Sequence, residues 1–104
     1  MPSRTDDNQQ DIVAALRAIG VSVTLLHAVG GGCPDLLCGY LDSDGNGRNI
    51  LLEVKGLKGT LTPAQEKWHS EWNGQVAIVR SVEEAINVVR AGSNSSDMVL
   101  RPLL

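Results

Sequence analysis

The chain has 104 residues, the size of one domain, and 42% of them are apolar, so a hydrophobic core is within reach. Its formal net charge of -3 argues against a protein that coats nucleic acid along its length, while leaving room for a carboxylate cluster offset by a divalent cation. The polar N-terminal stretch and the lack of an apolar run of about 20 residues speak against a secretory leader and a membrane span, so a cytoplasmic setting is expected.

Residues 1–7 read as a loose arm. From Asn8 the pattern turns helical: Ile12, Val13, Leu16 and Ile19 form one stripe, Asp6 or Asp7 can cap it, and Gly20 can end it. Val21, Val23 and Leu25 alternate with Ser22 and Thr24, which predicts a strand. Gly30-Gly31-Gly32 then permits unusual backbone angles or close approach of another group, and the stretch is read as flexible. Asp35–Leu41 and Asn49–Lys55 read as strands joined by the turn-rich run Asp42-Ser43-Asp44-Gly45-Asn46-Gly47, hence an antiparallel hairpin.

Thr62-Pro63-Ala64-Gln65 announces a helix with a capping box, ending at Gly74. Leu61, Gln65, Trp68 and Trp72 share one of its faces, and the tryptophan spacing predicts core packing rather than base stacking. Gln75–Val79 reads as a short buried strand. Ser81 caps a last helix with Glu83 and Glu84 in its first turn and an apolar stripe of Val82, Ala85, Ile86 and Val89. Residues 92–104 read as a linker and an apolar tail, with residues 8–91 as the folded domain. The order αβββαβα predicts a mixed sheet with helices on its faces.

One constellation carries chemistry. Glu53 and Lys55 are two apart on a strand, so they share a face. A turn near Gly45 places Asp35 opposite Lys55 and diagonal to Glu53, roughly 5–8 Å from each. Two carboxylates suit Mg²⁺, which prefers oxygen ligands and keeps several waters, and the Val54 carbonyl is a further candidate ligand. Lys55 can orient a water or stabilise developing charge, which points to metal-assisted phosphodiester hydrolysis. Ile50, Leu51, Leu52 and Val54 make the strand look buried, where charged residues are costly without a purpose.

The run Gly32-Cys33-Pro34-Asp35-Leu36-Leu37, followed by Leu52-Glu53-Val54-Lys55, resembles the PD-(D/E)XK nuclease signature. With Leu61-Thr62-Pro63-Ala64-Gln65 and Val79-Arg80-Ser81-Val82-Glu83-Glu84-Ala85, the chain resembles the minimal phage and bacterial VRR-NUC domains from about Asn8 to Val89. The resemblance implies an α/β fold with a restriction-endonuclease-like αβββαβ core, a mixed sheet flanked by helices, and an extra C-terminal helix. It also implies Mg²⁺ or Mn²⁺ as cofactor and DNA as substrate, with branched forms such as Holliday junctions cut by a homodimer. Asp35 and Glu53 take the metal-ligand roles and Lys55 the catalytic lysine role. Gln65 matches a family position near the active site, in competition with its capping role.

Where relatives place a Glu in the first helix, this chain has Gln9, on the face of Ile12, Val13 and Leu16. It is expected to reach the site through water, with Asp11 as an acidic alternative. The substitution motivates a second reading, a catalytically weak or inactive DNA-binding module. Lys58, Lys67 and Arg48 are candidates for phosphate contact, Lys58 first. His27 and His69 lack partners at ligand spacing and are read as outside the site. Cys33 and Cys38 fall on opposite faces of extended chain, which argues against a shared zinc, and are read as packing or loop residues. A third reading, an interaction domain unrelated to nucleic acid, leaves the inward-facing trio unexplained.

Overall fold

The computed structural model describes residues 4–93, with side chains over residues 8–91. Among the described residues three helices and four strands follow in the expected order: α1 (Arg4–Ala18), β1 (Ser22–Leu25), β2 (Leu36–Leu41), β3 (Gly47–Val54), α2 (Pro63–Glu71), β4 (Val76–Val79) and α3 (Val82–Ser93). The sheet runs β1-β2-β3-β4, antiparallel for the first two pairs and parallel for β3 with β4. None of the described helices is long and apolar enough to cross a membrane.

Two sequence expectations shift at the helix ends. Helix α1 begins at Arg4, so Asp6 and Asp7 lie inside it rather than capping it at Asn8. Helix α3 runs through Gly92 to Ser93, two residues into the expected linker. The apolar tail around Met98–Leu104 lies outside the described residues. Helix α1 closes as the apolar stripe predicts: Gly20 at φ +96° lets its own N–H reach the Arg17 carbonyl and that of Val21 reach Leu16. That pair of bonds is a Schellman ending, which favours glycine at the turn.

The core lies on one face of the sheet. Ile12, Val13 and Leu16 of α1 and Ala85 and Val89 of α3 pack against Leu36, Cys38 and Tyr40 of β2, Ile50, Leu52 and Val54 of β3, and Ala77 and Val79 of β4. Strand alternation sends Leu37, Leu51, Glu53, Val76 and Ile78 to the opposite face. Helix α2 lies on that second side, and none of its residues is fully buried. Trp68 and Trp72 are therefore not core residues. They stack on each other with centroids 4.7 Å apart, and Trp72 stays 42% exposed. The helix is too lightly embedded for its apolar stripe to reach the main core. It also ends earlier than Gly74, with Trp72 as its C-cap.

The hairpin register differs from the expectation by two residues. Leu36 pairs with Leu52 and Leu41 with Gly47, so the turn centres on Asp44 and Asp35 falls opposite Glu53 rather than Lys55. The cause is Asp42. Its carboxylate accepts the amides of Asp44 and Asn46, each at 2.9 Å, and the Arg48 guanidinium at 2.8 Å, while its own N–H bonds the Asn46 carbonyl. Gly45 at φ +83° completes the loop.

Candidate active site

The register makes the site. Asp35 just precedes β2, and its N–H bonds the Leu52 carbonyl at 3.0 Å, which carries the antiparallel ladder one residue further. Its side chain turns to the α2 side, where Oδ2 accepts the Val54 amide at 2.7 Å. Directly opposite stands Glu53, only 1% exposed, its carboxyl within hydrogen-bonding reach of that of Asp35. Val54 sends its own side chain into the core, as alternation requires.

Helix α2 closes over this pair. Thr62 caps it in a full capping box. The two roles considered for Gln65 do not compete. Its Oε1 accepts both the Thr62 amide at 2.9 Å and the Lys55 ammonium at 2.7 Å, while its Nε2 donates to Glu53 Oε2 at 3.2 Å. One side chain thus caps the helix and joins the acid to the lysine.

Glycine chemistry sets how closely α2 approaches. Gly32 has φ +85°, and a Cβ there would overlap the Ala64 carbonyl and lie 3.0 Å from Gln65 N. Only glycine fits between the loop before β2 and the first turn of α2. Gly32 is therefore a packing contact and not a flexible spacer. Gly30 and Gly31, also at positive φ, face open space.

The far side of the site is tied from the chain ends. Arg80 Nη1 donates to the carbonyls of Gly56 at 2.6 Å and Gly59 at 2.7 Å, pinning the loop that carries Lys58. Asn8 Nδ2 donates to the carbonyls of Lys55 and Arg80 at 3.1 and 3.2 Å. The first-helix residue that touches the site's backbone is therefore Asn8. Gln9 is half-buried and lines a groove with Val13, Arg17 and Leu25, with no direct hydrogen bond to the trio. The contacts of Asn8 and Arg80 are not readable from the sequence, because their partners are main-chain carbonyls, which leave no residue-type signature.

Electrostatics separate the two buried acids. Burial, reinforced by the neighbouring Asp35 carboxyl and partly opposed by Lys55, pushes Glu53 up to about 8. Asp42 moves the other way, held low first by the Asn46 amide and then by Arg48 and the Asp44 amide. The first has a like charge for company and the second has donors.

Two residues set aside in the sequence belong here. His69, read as outside the site, brings Nε2 to 3.4 Å from Glu53 Oε1 with its side chain 14% exposed. It lies one turn beyond Gln65 on α2, a spacing that was available once the capping box had been recognised. Burial and then the Lys55 charge lower its pKa, so the ring is neutral near neutral pH. Cys33 feels both carboxylates: burial first, then Glu53 and Asp35, raise its thiol. Cys38 is buried in the core on the other face, as the opposite-face reading requires.

The basic candidates divide. Lys58 is exposed on the pinned loop beside the site. Lys67 is exposed on α2 and pairs with Glu71 at 2.6 Å. Arg48 lies opposite Tyr40 near the hairpin turn, bound to Asp42, and the fold does not bring it to the trio. His27 is exposed in the loop after β1.

Among the described residues no three His, Cys, Asp or Glu side chains converge as a ready metal cage. The donors that do converge are hard oxygens: two opposed carboxyls, with Glu53 pushed up first by burial and then by Asp35. Such a set fits Mg²⁺ or Mn²⁺, which bind through one or two carboxylates and retain waters, better than a closed zinc site. Cavities of about 400 and 520 Å³ lie around Tyr40 at the hairpin end of the sheet, on other residues altogether.

No family model matches the sequence, and no curated protein matches it. A solved structure described as a VRR_NUC domain superposes with a TM-score of 0.62 at 20% identity, covering 85% of this chain and 96% of that one. The chain thus has the α/β fold of that VRR_NUC domain.

Proposed function

We propose that the chain is a metal-dependent deoxyribonuclease of the VRR-NUC type. The observation that carries this reading is the opposition of Asp35 and Glu53 across the β2–β3 register, with Lys55 on the same face and joined to Glu53 through Gln65. The shared fold and the ordered motifs support it together.

Asp35, Glu53 and the Val54 carbonyl would hold Mg²⁺ or Mn²⁺, which supplies Lewis-acid polarisation of the scissile phosphate and a more acidic water. Asp35 keeps its other oxygen for that task while Oδ2 holds the Val54 amide. Lys55 presents its ammonium from Gln65, placed to orient the attacking water or to stabilise charge developing on phosphate oxygens. Lys58, on the loop fixed by Arg80, is the first candidate for a neighbouring backbone phosphate, with Lys67 further along α2. Branched DNA is the proposed substrate and a homodimer the proposed working unit, since two such centres cut paired strands.

A second reading is favoured by one observation: α1 offers the site the Asn8 amide, and no carboxylate of that helix among the described side chains bonds to the trio. A DNA-binding module that keeps the fold without turnover would follow. Incubation with labelled four-way junction, flap, nicked and plain duplex DNA in Mg²⁺, Mn²⁺ or EDTA separates the two, with Asp35→Ala beside it. Metal-dependent cutting that is absent in the variant establishes the nuclease. Folded protein that binds these substrates and cuts none of them under either metal replaces it with the binding module.

A further inference from the structure

We propose that His69 is a positioning residue: together with Gln65 it holds both oxygens of the Glu53 carboxylate in the orientation that receives a divalent cation. The inference rests on the metal-dependent reading above and adds a residue to it.

The geometry comes from one helix. Gln65 and His69 are one turn apart on α2, so their side chains emerge on the same face. Gln65 Nε2 donates to Oε2 at 3.2 Å, and His69 Nε2 lies 3.4 Å from Oε1. Both oxygens of a carboxylate that is 1% exposed are thereby met from the same element. A carboxylate offers about four lone-pair sites, so two such contacts leave others for a cation.

Nothing in the core explains why His69 is where it is. Helix α2 has no fully buried residue, yet the His69 side chain is only 14% exposed, and its polar partner is Glu53. The Trp68 ring meets the imidazole edge-on at 5.9 Å and 71°, which restricts its rotation. An ionised Glu53 only accepts, so the contact requires the tautomer with hydrogen on Nε2. At 3.4 Å it is longer than an optimal bond, and such contacts shorten when the partner takes up charge. Partners that orient ligating groups typically change metal affinity by about 10–100-fold when removed.

The test is Mn²⁺ binding by isothermal titration calorimetry to the full chain at mildly alkaline pH, without DNA. Wild type is compared with H69A, H69Q and H69F. Glutamine can restore a donor near the position of Nε2, whereas phenylalanine fills the volume without one. The inference expects H69A and H69F to lose about 10–100-fold in Mn²⁺ affinity and H69Q to stay within a few-fold of wild type. It also expects cleavage by H69F to recover at saturating Mn²⁺, a shift in the metal requirement rather than in the maximal rate. H69F binding Mn²⁺ as wild type does, or H69Q failing as badly as H69F while both remain folded by circular dichroism, overturns it. If H69A does not fold, the Q-against-F comparison decides alone. Wild type that takes up no Mn²⁺ overturns the metal reading beneath it, an outcome visible before any variant is made.

Discussion

Buried Glu53, facing the Asp35 carboxyl, should make the metal-free protein less stable as pH rises. Glu53 is pushed from an ordinary 4.5 up to about 8 by burial and by the facing Asp35 carboxyl, against a smaller pull from Lys55. The folded state therefore holds a proton that the unfolded chain releases. The stabilisation from that proton is complete below about pH 4.5 and is progressively lost as pH rises through about 8. At ~1.36 kcal/mol per tenfold change, the full displacement corresponds to on the order of 4–5 kcal/mol. Water entry and side-chain relaxation around the ionised group recover part of it, so ~2 kcal/mol is the loss to look for, about 8–16 °C in Tm for a domain of this size.

The perturbation is Glu53→Gln, which keeps the shape and removes the ionisation. In EDTA, thermal melts between about pH 5 and 9 should show wild type falling relative to the variant, which becomes the more stable of the two at the alkaline end. Added Mg²⁺ should restore wild type there and do little near pH 5, because the cation must displace the proton. Calorimetry in buffers of different ionisation enthalpy should find a proton released on metal binding below about pH 8. Wild-type and Glu53→Gln melts that run parallel across the range would refute the reasoning.

Two further outcomes follow from the packing. Gly32→Ala should cost ~2–4 kcal/mol, from the positive φ and the overlap with the first turn of α2, and should abolish cleavage by moving Gln65 and His69 off Glu53. Thermal melts and a junction-cleavage assay check it, and full activity in a folded Gly32→Ala protein counts against the close approach of α2. Asp42→Ala should remove the two amide bonds and the Arg48 contact of the turn, at ~1–3 kcal/mol, yet leave Mn²⁺ affinity unchanged when measured well below the melting temperature. A large fall in Mn²⁺ affinity would show that the hairpin turn sets the carboxylate geometry more strongly than the β2–β3 ladder does.

What was legible in the sequence was short-range. Alternation along β3 put Glu53 and Lys55 on one face, the Thr62–Gln65 spacing gave the capping box, and Gly20 gave the end of α1. The register of the hairpin was not legible from its glycines, because the turn is also built on an acid. Asp42 gathers two amides and a guanidinium and so centres the turn on Asp44. The two tryptophans misled for a related reason. Their spacing defines a face but not what that face meets, and here it meets the side of the sheet that holds the carboxylates, not the core. Long-range ties such as Asn8 to Lys55 and Arg80 to Gly56 are bonds from side chain to main chain. Residue type at the acceptor end carries no information about them.

The contrast between the two buried acids is the physical argument for where function lies. A fold that buries a carboxylate for its own sake surrounds it with donors, as at Asp42, where three neighbours lower its pKa. At Glu53 the partners are an amide nitrogen, a neutral imidazole and, against stability, a second carboxyl. Gln65 and His69 meet the group without neutralising it, and the Lys55 ammonium, bonded to Gln65, offsets only part of the shift. The β2–β3 ladder, the Gly32 approach and the α2 cap all hold this arrangement in place. Ionising Glu53 beside Asp35 would leave a charge that a divalent cation could relieve, so on the proposed reading the discomfort of this pair has a chemical use.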